Sequence, residues 1–313
     1  MNLQLKIKKT YDSAVIGAGP SGITTSIYLA RSGFDVAIIE RGIYGGQLND
    51  TDSIENYTAF ESVSGMELAQ KMESHSRSVD GIEHVYGDVS AVEKKDDIFK
   101  VDLGDEYIYA KSLVIATGVS HKKLEVEGEE GLIGKGISYC ATCDGAFFRG
   151  KNVTVIGGGD SAMESAIYMS KIANEVTLIH RRDEFRAEQI LQDRAKETSN
   201  IKYIYNAKIT SISEDNGSVA GVCYNDKKTF EKLTHPTDGI FINVGVVPNT
   251  SAFGDLGILR ESGFIYTDKN MKTSVDGIFA VGDVRYDSVR QVVTATGDGA
   301  IASESVNNYL NNI

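Results

Sequence analysis

The sequence predicts an α/β chain in which one strand–turn–helix plan is used twice, the second copy inserted into the first. Three observations predict it. Ser13 to Ile16 reads as a buried strand that enters the glycine turn of GAGPSG and then a helix from about Ser21 to Arg31, and NVTVIGGGDSAMESAIYMSKI at 152–172 repeats that order. The second strands, FDVAIIE at 34–40 and EVTLIH at 175–180, fall at the same distance: Glu40 lies 23 residues after Gly17, and His180 lies 23 residues after Gly157. SLVIATG at 112–118 and GIFINVG at 239–245 are a third matched pair, and GIFAVGD at 277–283 adds a further glycine-ended strand after the second copy. The economical topology returns the C-terminal segment to the first domain. Residues 1–118 with 249–313 then form one domain and 119–248 the other, with hinges at Gly118–Ser120 and Val246–Asn249. Met66 to Ser78 is helical in pattern, and residues 41–60 are turn-rich.

Each glycine turn follows a buried strand and opens a helix, the context a dinucleotide fingerprint requires. Gly17 makes the tight turn, Gly19 lets the backbone approach a pyrophosphate, and Gly22 lets helix and strand pack. Unpaired N–H groups and the positive dipole end of the helix then face the phosphates. Gly157, Gly159 and Ala162 hold the same slots in the second copy. The expected architecture is therefore two Rossmann-like three-layer dinucleotide-binding domains.

The second strands end with opposite chemistry. Glu40 can accept hydrogen bonds from an adenosine ribose. His180, Arg181 and Arg182, with Arg186 beyond them, stand in the acid's slot of the second copy. A carboxylate would repel a ribose 2′-phosphate, whereas guanidinium groups bind it with forked, charge-assisted bonds. The second site is expected to prefer NADPH to NADH.

The chain has 313 residues, enough for two ordinary domains with real cores. A net charge of −12 argues against a nucleic-acid partner, whose footprint would be basic and clustered. Three cysteines are too few for a secreted disulfide scaffold. The N-terminal stretch lacks a signal-peptide pattern, and no apolar run reaches membrane-spanning length, so a cytoplasmic protein without a membrane partner is expected.

Two of the cysteines, Cys140 and Cys143, stand in SYCATCDGAF beside Asp144. A Cys-x-x-Cys pair can be half a zinc site, a redox disulfide or coincidence. Zinc needs about four ligands, and Cys223, 80 residues on, brings no second pair. A redox pair needs only itself, an acid or base and an electron source. No metal site is expected. Two nucleotide units and a dithiol suggest a relay, in which a flavin takes two electrons from a hydride and passes them to a disulfide.

GAGPSG, GGQL, IENY, ATG, CATCDG, GGGDSA, HRRDEFRA, GIFAVGD and RQVVTATGDGA together resemble the low-molecular-weight thioredoxin reductases of bacteria, nearly end to end. The resemblance implies an FAD enzyme that reduces thioredoxin with NADPH, works as a homodimer and rotates one domain against the other. Gly17, Gly19, Pro20, Ser21 and Gly22 match that family's FAD pyrophosphate loop, with Glu40 and Arg41 at the ribose. Gly45, Gly46, Gln47 and Leu48 match its second FAD loop. Asn56 matches a flavin-side asparagine, and Ala116, Thr117 and Gly118 its ATG turn. Gly282 and Asp283 match the ribityl-binding segment, and Arg290, Gln291 and Val292 the helix start beside the flavin ring. Cys143 matches the flavin-facing sulfur, Cys140 the sulfur that attacks thioredoxin, and Asp144 the proton-transfer acid. Gly157, Gly159, Asp160, Ser161, Ala162, His180, Arg181, Arg182 and Arg186 match the NADPH site. Phe147, Phe148 and Arg149 resemble a thioredoxin-contacting surface, or are ordinary packing.

The chain departs from that pattern at Thr58-Ala59, where Pro-Gly is usual, and at Glu127, where proline is common. Two other readings compete. One is a flavin dithiol reductase serving a peroxidase or glutaredoxin-like partner; the other is a nucleotide-sensing binding protein without turnover.

Overall fold

A computed structural model of the chain describes residues 10–51 and 54–313. The N-terminal stretch MNLQLKIKK, on which the signal-peptide reading rests, lies outside them. The chain divides into two compact units. One comprises the described part of Met1–Asn49 with Tyr57–Ser120 and Val247–Ile313; the other comprises the described part of Asp50–Asn56 with His121–Val246.

The first unit begins with β1 (Thr10–Ile16), α1 (Pro20–Arg31), β2 (Val36–Glu40), α2 (Gly65–Arg77) and β3 (Ile82–Tyr86). It continues through β4 (Ala91–Lys95), β5 (Ile98–Asp102) and β6 (Tyr107–Ile115). The sheet order is β3-β2-β1-β6-β5-β4. β1 runs parallel to both neighbours, with Val15 opposite Ile38 and Val114. These buried strands are apolar on both faces, as parallel strands covered on two sides must be. Val15, Ile38 and Val114 pack with Ile23, Ile27 and Leu29 of α1 on one face. Ile16, Ile39 and Ile115 turn to the other face, which Phe99 and Phe253 cover.

β7 (Val119–His121) leads to the second unit, which opens with β8 (Ile137–Ser138), α3 (Ala141–Asp144), β9 (Asn152–Gly157) and α4 (Asp160–Met169). Then come β10 (Glu175–Ile179), α5 (Gln189–Glu197), β11 (Ile201–Ile204), β12 (Ala207–Asp215), β13 (Ser218–Asp226), β14 (Lys232–Pro236) and β15 (Gly239–Asn243). Its sheet has the order β11-β10-β9-β15-β8, all parallel. Met163, Ala166 and Met169 of α4 cover one face with Val153, Val155 and Leu178. The antiparallel sheet β12-β13-β14 covers the other, burying Val222 and Tyr224 against Ile156, Ile179 and Ile240. β16 (Val246–Pro248) pairs with β7 as a two-stranded sheet where the chain passes between units.

The chain re-enters the first unit, where β17 (Ile278–Ala280) lies parallel to β6. α6 (Val292–Leu310) then buries Ala302 and Val306 on the α1 face. Each unit is thus a central sheet between a helical layer and a layer of antiparallel strand or loop. No helix among the described residues is long and apolar enough to cross a membrane.

Candidate functional site

The first unit's glycine loop is closed by contacts that leave no room for side chains. Gly17 has a left-handed φ of 103°, and a Cβ there would lie 2.4 Å from the Ala116 carbonyl oxygen. A Cβ on Gly22 would lie 1.9 Å from the Gly17 oxygen. Gly19 is different: nothing lies within 4 Å of its Cβ position. The packing glycines therefore shape the turn, and Gly19 leaves open space at the N-terminus of α1, which starts at Pro20 and carries no acid in its first turn. That combination fits the pyrophosphate of a dinucleotide.

The neighbouring segments converge on the same loop. Glu40 accepts the Ala18 N–H at 2.9 Å through one carboxylate oxygen and the Gly42 N–H at 2.9 Å through the other. Arg41 is exposed. Gly45 donates its N–H to the Ala18 carbonyl at 2.8 Å, and Gly45 and Gly46 both take left-handed φ angles, 112° and 55°. Leu48 is buried, and Gln47 donates to the Val119 carbonyl at 2.6 Å. Ala116 lies under the loop against Gly17 and Gly22. Thr117 donates its hydroxyl to the Asn249 carbonyl at 2.7 Å, and Gly118 follows with a φ of 64°.

Gly282 brings the C-terminal segment in: a Cβ there would lie 2.7 Å from the Ser21 hydroxyl. Its N–H donates to Asp298, which also holds Arg285 in a 2.6 Å ion pair. Arg285 in turn donates to the Thr267 hydroxyl at 2.8 Å. Asp283, next to this anchor, is partly enclosed. Burial pushes its carboxyl up to about 6, against the lowering pull of Arg290 and a hydrogen bond from Ser288, with the Asp298 charge adding to the rise. Arg290 takes a φ of 58° and sets its guanidinium 5.4 Å from the Phe264 ring centre. Gln291 caps α6 in a reciprocal arrangement with Thr294, and Val292 is the first helical residue.

Asn56 is exposed, in the segment 50–56 that groups with the second unit. Ala59, three residues on, has a φ of 94°. The backbone thus keeps a conformation suited to glycine although the residue is alanine, at a cost on the order of 1 kcal/mol.

The second unit repeats the first loop's logic. A Cβ on Gly157 would lie 2.4 Å from the Asn243 oxygen and 2.6 Å from the Ala162 Cβ. Gly159, the N-cap of α4, has nothing within 4 Å of its Cβ position. Asp160 accepts the Glu188 N–H at 2.8 Å, and Ser161 is exposed. His180 is 5% exposed and packs beneath Gly158, whose Cβ would lie 2.1 Å from its ring. Burial holds the imidazole below the ordinary histidine range, and Arg186, Arg181 and Arg182 push the same way, while a hydrogen bond with the Gly157 backbone opposes them. His180 thus props the loop from below. The guanidinium groups of Arg181, Arg182 and Arg186 are exposed, and among the described residues no ion pair engages them. Backbone bonds fix the segment: Arg186 N–H to Gly158 O at 2.7 Å, and Lys227 Nζ to Arg181 O at 2.9 Å.

The cysteine pair belongs to this same unit. Cys140 and Cys143 are joined in a disulfide at the one-turn helix α3, and both are partly exposed. Cys140 Sγ accepts the Cys143 N–H at 3.2 Å. α3 sits down on α4 at Gly145, where a Cβ would lie 2.8 Å from the Met169 sulfur. Asp144 ends α3 and accepts a 2.6 Å hydrogen bond from Ser138. The aromatic pair that follows divides: Phe148 is core, packed on Phe241, whereas Phe147 is 46% exposed and Arg149 is exposed. Cys223 lies apart on β13, 3.5 Å from the Thr234 hydroxyl. Among the described residues no group of three or more His, Cys, Asp or Glu is arranged to hold a metal ion.

Ser138 and the Arg285–Asp298 pair are site residues that sequence reasoning missed. Ser138 carries no motif beyond standing two residues before Cys140, and Arg285 and Asp298 are separated by 13 residues across a helix start.

The chain as a whole is similar to known proteins in sequence and in fold. The profile of the pyridine nucleotide-disulphide oxidoreductases matches residues 11–299. The chain is 46% identical over 303 residues to the thioredoxin reductase of Bacillus subtilis (strain 168), covering 97% of this chain and 96% of that protein. The thioredoxin reductase of Listeria monocytogenes is 45% identical over 303 residues, 97% of this chain and 95% of its own. The crystal structure of thioredoxin reductase from Streptococcus pyogenes MGAS5005 superposes with a TM-score of 0.92 at 45% identity, covering 97% of this chain and 99% of that one.

Proposed function

The chain belongs to the pyridine nucleotide-disulphide oxidoreductase family, and from that premise we propose that it is a thioredoxin reductase, using NADPH, FAD and the Cys140–Cys143 pair. The observation that carries this reading is the disulfide itself: it lies beside Asp144 in the unit that also holds a second dinucleotide loop. The relatives named thioredoxin reductase support the substrate.

FAD, once bound, accepts the two electrons of a hydride and releases them to a disulfide. The chain's own residues do the rest. The N–H groups at the start of α1, reached across the open Gly19, hold the FAD pyrophosphate. Glu40 accepts from its adenosine ribose, and Asp283 from its ribityl chain. The N-terminus of α6, at Gln291 and Val292, would favour negative charge on a flavin ring held beside it. Gly159 and the N-terminus of α4 hold the NADPH pyrophosphate, with Arg181, Arg182 and Arg186 on the 2′-phosphate. The reduced Cys140 thiolate attacks the thioredoxin disulfide, Cys143 resolves the mixed disulfide, and Asp144 moves a proton at the pair. Exposed Phe147 and Arg149 stand near enough in sequence to contact the partner. We place the enzyme in the cytoplasm as a homodimer.

Cys140→Ser tests the reading. NADPH-dependent reduction of thioredoxin should fall by at least about a thousandfold, as expected when a nucleophile is lost, while slow NADPH oxidation with an artificial electron acceptor continues. A variant that still reduces thioredoxin at the wild-type rate would show that the pair is not the electron exit.

A further inference from the structure

We infer that Ser138 is a positioning residue for the proton transfer at the redox pair, acting through Asp144; the inference rests on the roles given above to Cys140, Cys143 and Asp144. Ser138 ends β8, where it pairs with Phe241 of β15, and it is 5% exposed. Its hydroxyl donates to Asp144 Oδ2 at 2.6 Å and accepts the Cys140 N–H at 3.0 Å. A hydroxyl has one proton. The alternative acceptor, the Cys140 carbonyl, is at 3.3 Å, so the shorter, charge-assisted bond to the carboxylate takes it. One buried side chain thus joins the backbone of the first cysteine to the acid that follows the second.

The arrangement has a mechanical and a chemical consequence. Asp144 ends a helix of four residues, too short to hold a side chain in place by itself. Ser138 stands on the parallel sheet, so its bond ties the carboxylate to the rigid layer of the unit. Reducing Cys140–Cys143 to two thiols takes two electrons and two protons. The hydride of NADPH brings both electrons and one proton, and the other proton comes from solvent. To hand a proton on, the Asp144 carboxyl must come within hydrogen-bond reach of the pair. Ser138 fixes the position from which that carboxyl acts.

The test is a double-mutant cycle on the holoenzyme, read as the single-turnover rate of thioredoxin reduction by NADPH-reduced enzyme in a stopped flow. Ser138→Ala should slow this step by roughly ten- to a hundredfold, the cost of a misplaced catalytic group, with unchanged KM for NADPH and thioredoxin in steady state. Asp144→Asn should slow it at least as much. Adding Ser138→Ala to Asp144→Asn should change nothing further, because the group through which Ser138 acts is gone. The same factor in both backgrounds would overturn the inference, since a purely structural serine gives additive losses. A slowed Asp144→Asn beside a wild-type Ser138→Ala would overturn it alone, leaving the proposed function intact. An unchanged Asp144→Asn would overturn both the role of Asp144 and the inference. If Ser138→Ala loses flavin or folds poorly, the isosteric pair Ser138→Thr and Ser138→Val isolates the hydroxyl. Threonine should keep the rate and valine lose it; equal rates would overturn the inference.

Discussion

Arg181, Arg182 and Arg186 do not pair with carboxylates among the described residues and stand exposed beyond β10, whereas Glu40, at the matching place at the end of β2, takes one backbone N–H on each oxygen and keeps lone pairs for a ribose hydroxyl. The difference should decide coenzyme choice. Arg181→Ala with Arg186→Ala is expected to raise KM for NADPH by roughly a hundred- to ten-thousandfold at most, from two charge-assisted contacts at about 1.5–3 kcal/mol each, with little change for NADH. Steady-state kinetics with both coenzymes checks it, and an unchanged preference would remove these residues from the 2′-phosphate site. Asp283 gives a second prediction. Its carboxyl is raised to about 6 by burial, so between the ordinary carboxylate range and pH 6 the folded state binds more protons than the unfolded one. Its contribution to stability is full at low pH and is lost as pH rises through 6, by up to about 3 kcal/mol. Urea melts of the FAD-free protein at pH 4.5 and 6.5 should show this slope, and Asp283→Asn should flatten it; an unchanged slope would assign it to another group. The cysteine pair, the glycines and the arginines were legible in the sequence because each carries its chemistry in its own side chain or lack of one. Ser138 was not, because a serine gains meaning only from what the fold sets 2.6 Å away.

Glycine has two separate jobs in the loop elements, and the structure tells them apart. Gly157 is pressed against the Asn243 carbonyl and Ala162, whereas Gly159 faces open space at the head of α4. Gly157→Ala should therefore destabilise the second unit by about 1–3 kcal/mol, as overpacking does. Gly159→Ala should leave the thermal midpoint near that of the wild type and weaken NADPH binding instead. Calorimetric melts beside NADPH titrations separate the two, and equal stability losses would contradict this division. The parallel strands β1, β6, β9, β15 and β17 were readable because each is a short apolar run leading into glycine, and β2 and β10 because they lie at equal spacing after the glycine turns. The antiparallel layers were not. β12 buries only Ala207 and Ile212, and β14 is mostly exposed, so neither shows a strong apolar period. α6 was marked only at its start, Arg290, Gln291 and Val292, and only by the resemblance. It carries Gly297 and Gly299, poor helix formers, and Gly299 is required because a Cβ there would lie 2.6 Å from the Ser21 carbonyl of α1. Tertiary packing overrides propensity at that contact.

At the scale of the whole molecule, two units built on one plan carry different ends of the same chemistry. The first brings its glycine loops, Glu40 and Asp283 together; the second brings a basic nucleotide loop and a disulfide together. The doubled plan was legible from the equal spacing of Gly17 to Glu40 and Gly157 to His180, since a repeated fingerprint requires a repeated strand, turn and helix. On the proposed function, electrons pass from NADPH through flavin to Cys140–Cys143 and out to thioredoxin. An anaerobic titration of the purified holoenzyme with NADPH, followed by oxidised thioredoxin, tests it most directly through the flavin absorbance. The flavin band should bleach with NADPH and return when thioredoxin is added. A band that NADPH leaves unbleached, or that bleaches and is not restored by thioredoxin, would contradict the proposed function.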